Sequence, residues 1–155
     1  MNNKYINIYN NLVNLTRNKK LYKSFSSRDT FSDRLIFFLF HFAFFLKVFK
    51  KNNKKKILQE IYDQIFKYLE LSVREMGYGD ATINKEMKTY LNTFHSILSQ
   101  INDWEIVPDS HKTKALSNFL NIDRKTSNLI DYFDNYIINL SNNTLNFYIK
   151  GVIKP

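Results

Sequence analysis

The sequence predicts a single all-α domain, a bundle of about six helices, and three observations predict it. Apolar residues recur at helical spacing through most of the chain, and no strand alternation is sustained long enough for a sheet. Helix breakers are scarce, with three Gly and two Pro in 155 residues. Two of the three glycines fall in one heptapeptide, Arg74-Glu75-Met76-Gly77-Tyr78-Gly79-Asp80, where one apolar helical pattern stops and another starts.

The elements follow in order. Ile6, Tyr9, Leu12, Val13 and Thr16 recur at helical spacing, which predicts a helix over residues 4–17. Asn18-Lys19-Lys20 breaks it, and residues 21–25 can add a short helix. Asp29 or Thr30 can cap a helix over residues 31–50, because either side-chain oxygen accepts an orphaned backbone N–H. That helix is apolar nearly all round, the mark of a central helix covered on most sides. Residues 50–56 carry five lysines, which repel one another and predict a solvated loop.

From Ile57 to Met76 the pattern is amphipathic. Leu58, Ile61, Tyr62, Ile65, Tyr68, Leu69, Val73 and Met76 form one stripe, with Asp63/Lys67 and Glu70/Arg74 as acid-before-base pairs on the other face. After the corner, Ile83, Met87, Tyr90, Leu91, Phe94, Leu98 and Ile101 form a second stripe, and the two stripes are expected to face each other as an antiparallel helical hairpin. Residues 102–109 read as a loop, residues 111–120 and 124–140 as two more helices, and residues 147–153 as an extended tail docked on the bundle.

Length and composition set limits on function. A chain of this size is one domain and can bury a sizeable core. Hydrophobic residues make up 44% and aromatic residues 16%, which describes a folded protein rather than a disordered one. The absence of Cys rules out disulfides, thiolate metal sites and a cysteine nucleophile. The net charge of +9 is unevenly placed: residues 1–56 hold thirteen Lys or Arg against Asp29 and Asp33, and the remainder holds ten basic and twelve acidic residues. Such asymmetry suggests an anionic partner, either nucleic acid or a lipid headgroup surface; a solvated basic face reads equally well.

No secretory signal is expected, since the apolar stretch from Tyr5 to Leu15 is broken by Asn7, Asn10, Asn11 and Asn14. It is also unlike an organelle transit peptide. Residues 35–46 are strongly apolar but number only twelve, against the roughly twenty that a bilayer crossing needs.

Catalytic and metal chemistry find little support. His41, His95 and His111 lie in separate segments, and no His-x-x-x-His pair exists. There is no Gly-x-Ser-x-Gly elbow, phosphate loop or dinucleotide fingerprint. The expectation is no catalytic residue, no cofactor and no metal. His41, on the most apolar helix, reads as a neutral core histidine with one nitrogen satisfied.

The corner has a structural reading of its own. Gly77 falls where a left-handed residue ends a helix after Met76, Arg74 complements the negative helix end, and Asp80 can cap the next helix. This leaves Glu75, Met76 and the second glycine without a structural reason. The aromatic residues raise a similar question. Phe37, Phe38, Phe40, Phe42, Phe44 and Phe45 cannot all face inward on one helix, so some are expected to meet another helix, a subunit or a hydrophobic client.

The order of these motifs resembles a known family. Thr30-Phe31-Ser32-Asp33-Arg34-Leu35 leads into the helix carrying His41. Leu58-Gln59-Glu60-Ile61-Tyr62-Asp63, the Arg74–Asp80 corner and Lys85 follow. That succession is similar to the ubiquinol–cytochrome c chaperone family, over roughly residues 21–101 with a weaker echo at residues 149–153. Residues 1–20 then form an N-terminal helix, 21–101 the matching core and 102–155 the C-terminal helices and tail. The family's Phe-Tyr-Gly-Arg element is replaced here by Phe94-His95-Ser96-Ile97.

The resemblance implies a non-enzymatic assembly chaperone for respiratory complex III that binds newly made cytochrome b. It implies partner contacts at Arg34, His41, Arg74, Glu75, Met76, Gly77, Gly79, Asp80 and Lys85. An apolar groove with the corner at its rim would hold the client. Lys50, Lys51, Lys54, Lys55 and Lys56 would meet an anionic surface, the ribosome near its exit tunnel or an anionic membrane, and a small partner subunit would fit as well. The expected location is the cytoplasmic side of a bacterial inner membrane, as a peripheral protein, or the matrix side of the mitochondrial inner membrane. The competing reading is a basic helical nucleic-acid- or ribosome-binding module without a membrane-protein client and without sequence-specific recognition.

Overall fold

The computed structural model describes residues 3–22, 31–121 and 127–155. Every regular element among them is helical. The α-helices are α1 (Ile6–Leu15), α2 (Phe31–Phe49), α3 (Lys55–Glu75), α4 (Asp80–Gln100), α5 (Asp109–Ser117), α6 (Ser127–Ser141) and α7 (Leu145–Lys150). A 3₁₀ turn spans Lys19–Tyr22. The proposed caps Asp29 and Thr30, and the start of the 124–140 helix at Arg124, lie outside the described residues.

Helix α2 is buried over most of its length, and the elements packed on it explain its composition. Phe38 meets Tyr9 of α1 at 5.6 Å between ring centroids, and Phe37 meets Tyr22 at 5.3 Å. Phe42 stacks on Phe94 of α4 at 5.3 Å and reaches Phe66 of α3 at 6.0 Å. Phe44 sits edge-on to Trp104 at 5.0 Å and against Phe133 of α6, Phe40 packs on Phe119 and Phe133, and Phe45 approaches Tyr148 of α7. All six phenylalanines are buried. Of the partners expected for these rings (another helix, a subunit or a client), the structure supplies the first: each meets a ring of a neighbouring element, and Phe38 also lines a groove at the start of α2.

His41 belongs to the same core. It is 0% exposed, its Nδ1 lies 2.6 Å from the Phe37 carbonyl and its Nε2 lies 2.7 Å from the Tyr132 hydroxyl. A carbonyl only accepts, so Nδ1 carries the proton and Nε2 accepts from Tyr132. Burial, offset in part by the Phe37 bond, pushes the imidazole down to about 4. Both nitrogens are satisfied, one more than the sequence suggested.

The C-terminal tail differs from expectation. Residues 145–150 form a short helix rather than an extended strand, with the Thr144 side chain accepting from the Phe147 N–H at 3.3 Å. The chain then turns back onto α1. The Gly151 carbonyl accepts from Asn7 Nδ2 at 2.7 Å and from Asn11 Nδ2 at 3.1 Å, and the Ile153 N–H donates to Asn11 Oδ1 at 3.2 Å. A Cβ at Gly151 would lie 2.8 Å from the Phe147 carbonyl oxygen, so the close approach itself requires glycine. Two of the four asparagines that interrupt the apolar pattern of α1, Asn7 and Asn11, therefore clamp the tail.

Trp104, in the loop after α4, is buried beside α6. Its indole N–H donates to Asp134 Oδ1 at 2.8 Å, and Lys112 of α5 reaches the same oxygen at 3.3 Å while lying over the indole ring. One carboxylate thus ties loop, α5 and α6 together. No helix among the described residues is long and apolar enough to cross a membrane.

Candidate functional site

The corner is built as two helix ends held by one ion pair. Helix α3 closes with the Met76 N–H on the Val73 carbonyl at 3.1 Å and the Gly77 N–H on the Arg74 carbonyl at 2.9 Å. Gly77 then takes a φ of +94°, the left-handed region in which a Cβ is strained. Arg74 donates to Asp80 across the turn and approaches Glu70 at 3.9 Å. Its guanidinium sits at the negative end of α3 and Asp80 at the positive end of α4, so the helix dipoles favour both. Asp80 is the first residue of α4 and not its cap. Gly79 holds the cap position with no side-chain bond, which corrects the capping role expected of Asp80.

The remaining corner residues have no internal task. Glu75 is exposed and makes no hydrogen bond or ion pair among the described residues. Met76 is 51% exposed, although the periodicity placed it on the buried stripe, because α3 ends there and nothing packs over it. Tyr78 is 43% exposed. Gly79 has φ −75° and open space where a Cβ would stand, so neither backbone nor packing demands glycine there.

Beside the corner lies a groove of about 310 Å³ formed by α1, the first turns of α2 and the last turns of α3. Val13, Phe31, Leu35, Leu69 and Met76 give it an apolar lining, and Arg17 and Arg34 supply positive charge. Tyr9 and Ser72 pair across it, with their oxygens 2.6 Å apart. Burial raises the Tyr9 hydroxyl, the Ser72 bond works against this, and the charge of Glu75 adds to the rise. The electrostatic reach of Glu75 therefore extends into the groove.

The structure thus gathers most of the residues singled out in the sequence. Arg34 and Met76 share the groove, Arg74 and Asp80 are paired, and Glu75, Gly77 and Gly79 complete the turn. Lys85 is exposed on α4 a little over one turn beyond Asp80. His41 is the exception, since it is enclosed in the core and presents nothing to a partner. Tyr9, Val13, Arg17 and Ser72 were not singled out. The α1 stripe marked Tyr9 and Val13 as inward-facing, but nothing in the sequence told which helix they would meet.

The five lysines lie at the other end of α3. Lys50, Lys51, Lys54, Lys55 and Lys56 are exposed and make no ion pair among the described residues. Lys55 and Lys56 belong to the first turn of α3 rather than to the loop. That end of a helix is positive, so lysines there stand against their local field.

The chain can be set against known proteins at this point. The model of the family described as Ubiquinol-cytochrome C chaperone matches residues 23–121, more than half of the chain. The crystal structure of the Cbp3 homolog from Brucella abortus is similar, with a TM-score of 0.67 and 21% identity across 98% of this chain and 89% of that one. At that identity the likeness is one of fold. No curated protein matches the chain.

Proposed function

The chain belongs to the ubiquinol–cytochrome c chaperone family, and on that premise we propose that it is a non-enzymatic assembly factor for respiratory complex III that holds newly synthesised cytochrome b. The observation that carries this reading is the corner. It is an exposed turn whose Glu75, Met76 and Gly79 serve no internal contact, beside an apolar groove that contains Arg34. An apolar client segment would lie in the groove with Met76 and Tyr78 at its edge, and a flexible methionine adapts to irregular apolar surfaces. Arg17, Arg34 and Glu75 would orient the polar ends of that segment.

The lysines of residues 50–56 would dock the chaperone on an anionic surface, a ribosome or the inner membrane where cytochrome b is made, leaving the corner free for the client. Helix α3 has 21 residues, which at 1.5 Å per residue separates the two ends by about 30 Å. The five lysines thus stand apart from the corner groove, whose own charge is Arg17 and Arg34, and this supports a chaperone with separate docking and client surfaces. Deleting the gene tests the reading. Assembled complex III should fall while cytochrome b mRNA stays level, and normal complex III in the deletion strain would contradict it.

A further inference from the structure

A second and larger depression opens at the lysine end, and we infer that it is a binding pocket for an acidic phospholipid of the bilayer surface. Its volume is about 670 Å³ and it lies between the end of α2, the start of α3 and the end of α4. Leu46, Leu58 and Leu98 provide apolar walls. Lys47, Lys50 and Lys55 stand among its lining residues. Tyr62 and His95 form a polar pair in it, with the hydroxyl 2.9 Å from Nε2.

The charges in this pocket are not equivalent. Lys47 is paired with Glu105 at 2.6 Å. Lys50 and Lys55 have no ion pair among the described residues, and the first turn of α3 carries no carboxylate and no side-chain cap. The pocket therefore joins an apolar interior to uncompensated positive charge, the complement of an acyl chain beneath an anionic headgroup. Pockets of roughly 300–1,000 Å³ are the size that encloses a small ligand, and a protein helix of about 10 Å diameter needs a longer trough. Nucleic acid would satisfy the lysines but would leave the leucine walls unused.

The inference rests on the reading that the lysine end meets an anionic surface, and it adds which two lysines act and why. Flotation of the full chain with vesicles of phosphatidylcholine, alone or doped with phosphatidylglycerol, tests both. The chain should float only with the doped vesicles. Lys50→Gln with Lys55→Gln should weaken that binding about thirty-fold, since each lysine at an anionic surface contributes about 1 kcal/mol. Lys51→Gln with Lys54→Gln removes the same charge from positions that do not line the pocket and should weaken binding clearly less. Equal losses for the two pairs would overturn the pocket and leave simple surface adsorption standing. Absence of flotation would overturn the lipid pocket and leave the ribosome as the anionic surface that the lysine end meets. Displacement of the bound vesicles by a single-stranded RNA oligonucleotide, with the Lys50/Lys55 variant losing RNA affinity in parallel, would replace the lipid with nucleic acid.

Discussion

The centre of α2 and the corner at Gly77 are both unusual in composition, for opposite physical reasons. Around the centre of α2, each phenylalanine from Phe37 to Phe45 packs on another ring, and even His41 has both nitrogens bonded. From Phe40 to Phe45 nothing is left over for a partner, since each of these side chains is fully buried. At the corner, the fold uses Arg74, Gly77 and Asp80 and leaves Glu75, Met76 and Gly79 unexplained. Aromatic richness alone left open whether these rings meet other helices or a client, and the structure gives them other helices. The test that separates structure from function is whether a side chain has an internal partner, not how apolar its segment is.

The comparison can be broken from the core side first. Phe42→Ala removes a ring that touches both α3 and α4 and should cost about 3–5 kcal/mol in thermal or urea unfolding. A loss below about 1 kcal/mol would mean that the α2 packing is far looser than its buried rings imply.

The next effect is pH dependence through His41. Its folded pKa of about 4 lies below the ordinary value of 6.5. Above pH 6.5 the group is neutral in both states and contributes nothing. As pH falls from 6.5 to 4, the unfolded chain takes up a proton that the folded one refuses. Stability should then drop by about 3 kcal/mol across that window, with no further loss from this group below it. His41→Gln should flatten this part of the profile, whatever it does to the stability at pH 7. An unchanged slope would mean that His41 is not held neutral.

Gly77→Val should cost roughly 1–2 kcal/mol, because a left-handed φ strains any Cβ even where space is open. Gly79→Ser should instead leave the stability level or raise it by a few tenths of a kcal/mol, since serine caps a helix at least as well as glycine. Glu75→Gln should likewise leave Tm level or slightly raised, as it removes a carboxylate from a negative helix end. Both of these variants should reduce client capture while the fold is kept. Unfolding in Glu75→Gln would give Glu75 an internal role and remove the corner's best claim to being a surface for a partner.

Much of this division was legible in the sequence. The all-round apolar character of α2 announced a helix buried over most of its length, and Gly77 announced a left-handed helix end. The destinations of the α2 phenylalanines were not legible, because they depend on how the other elements are arranged around the helix. Asp80 was misjudged because a cap and an ion pair call for the same residue type at a helix start. The α7 helix escaped because six residues are too few to show a period, although Thr144 before it carried the signal of an N-cap. The Asn7 and Asn11 clamp escaped for a different reason. A polar residue that interrupts an apolar stripe looks the same whether it breaks the helix or binds a distant carbonyl.

The most direct measurement is photo-crosslinking in cells from two exposed positions. One is Met76 at the corner, and the other is Ile106, 82% exposed beyond the far end of α4 and about 30 Å away. A crosslinker at Met76 should capture newly made cytochrome b and one at Ile106 should not. Equal capture from the two positions, or an adduct at Met76 that contains no cytochrome b, would contradict the corner as the client-holding surface.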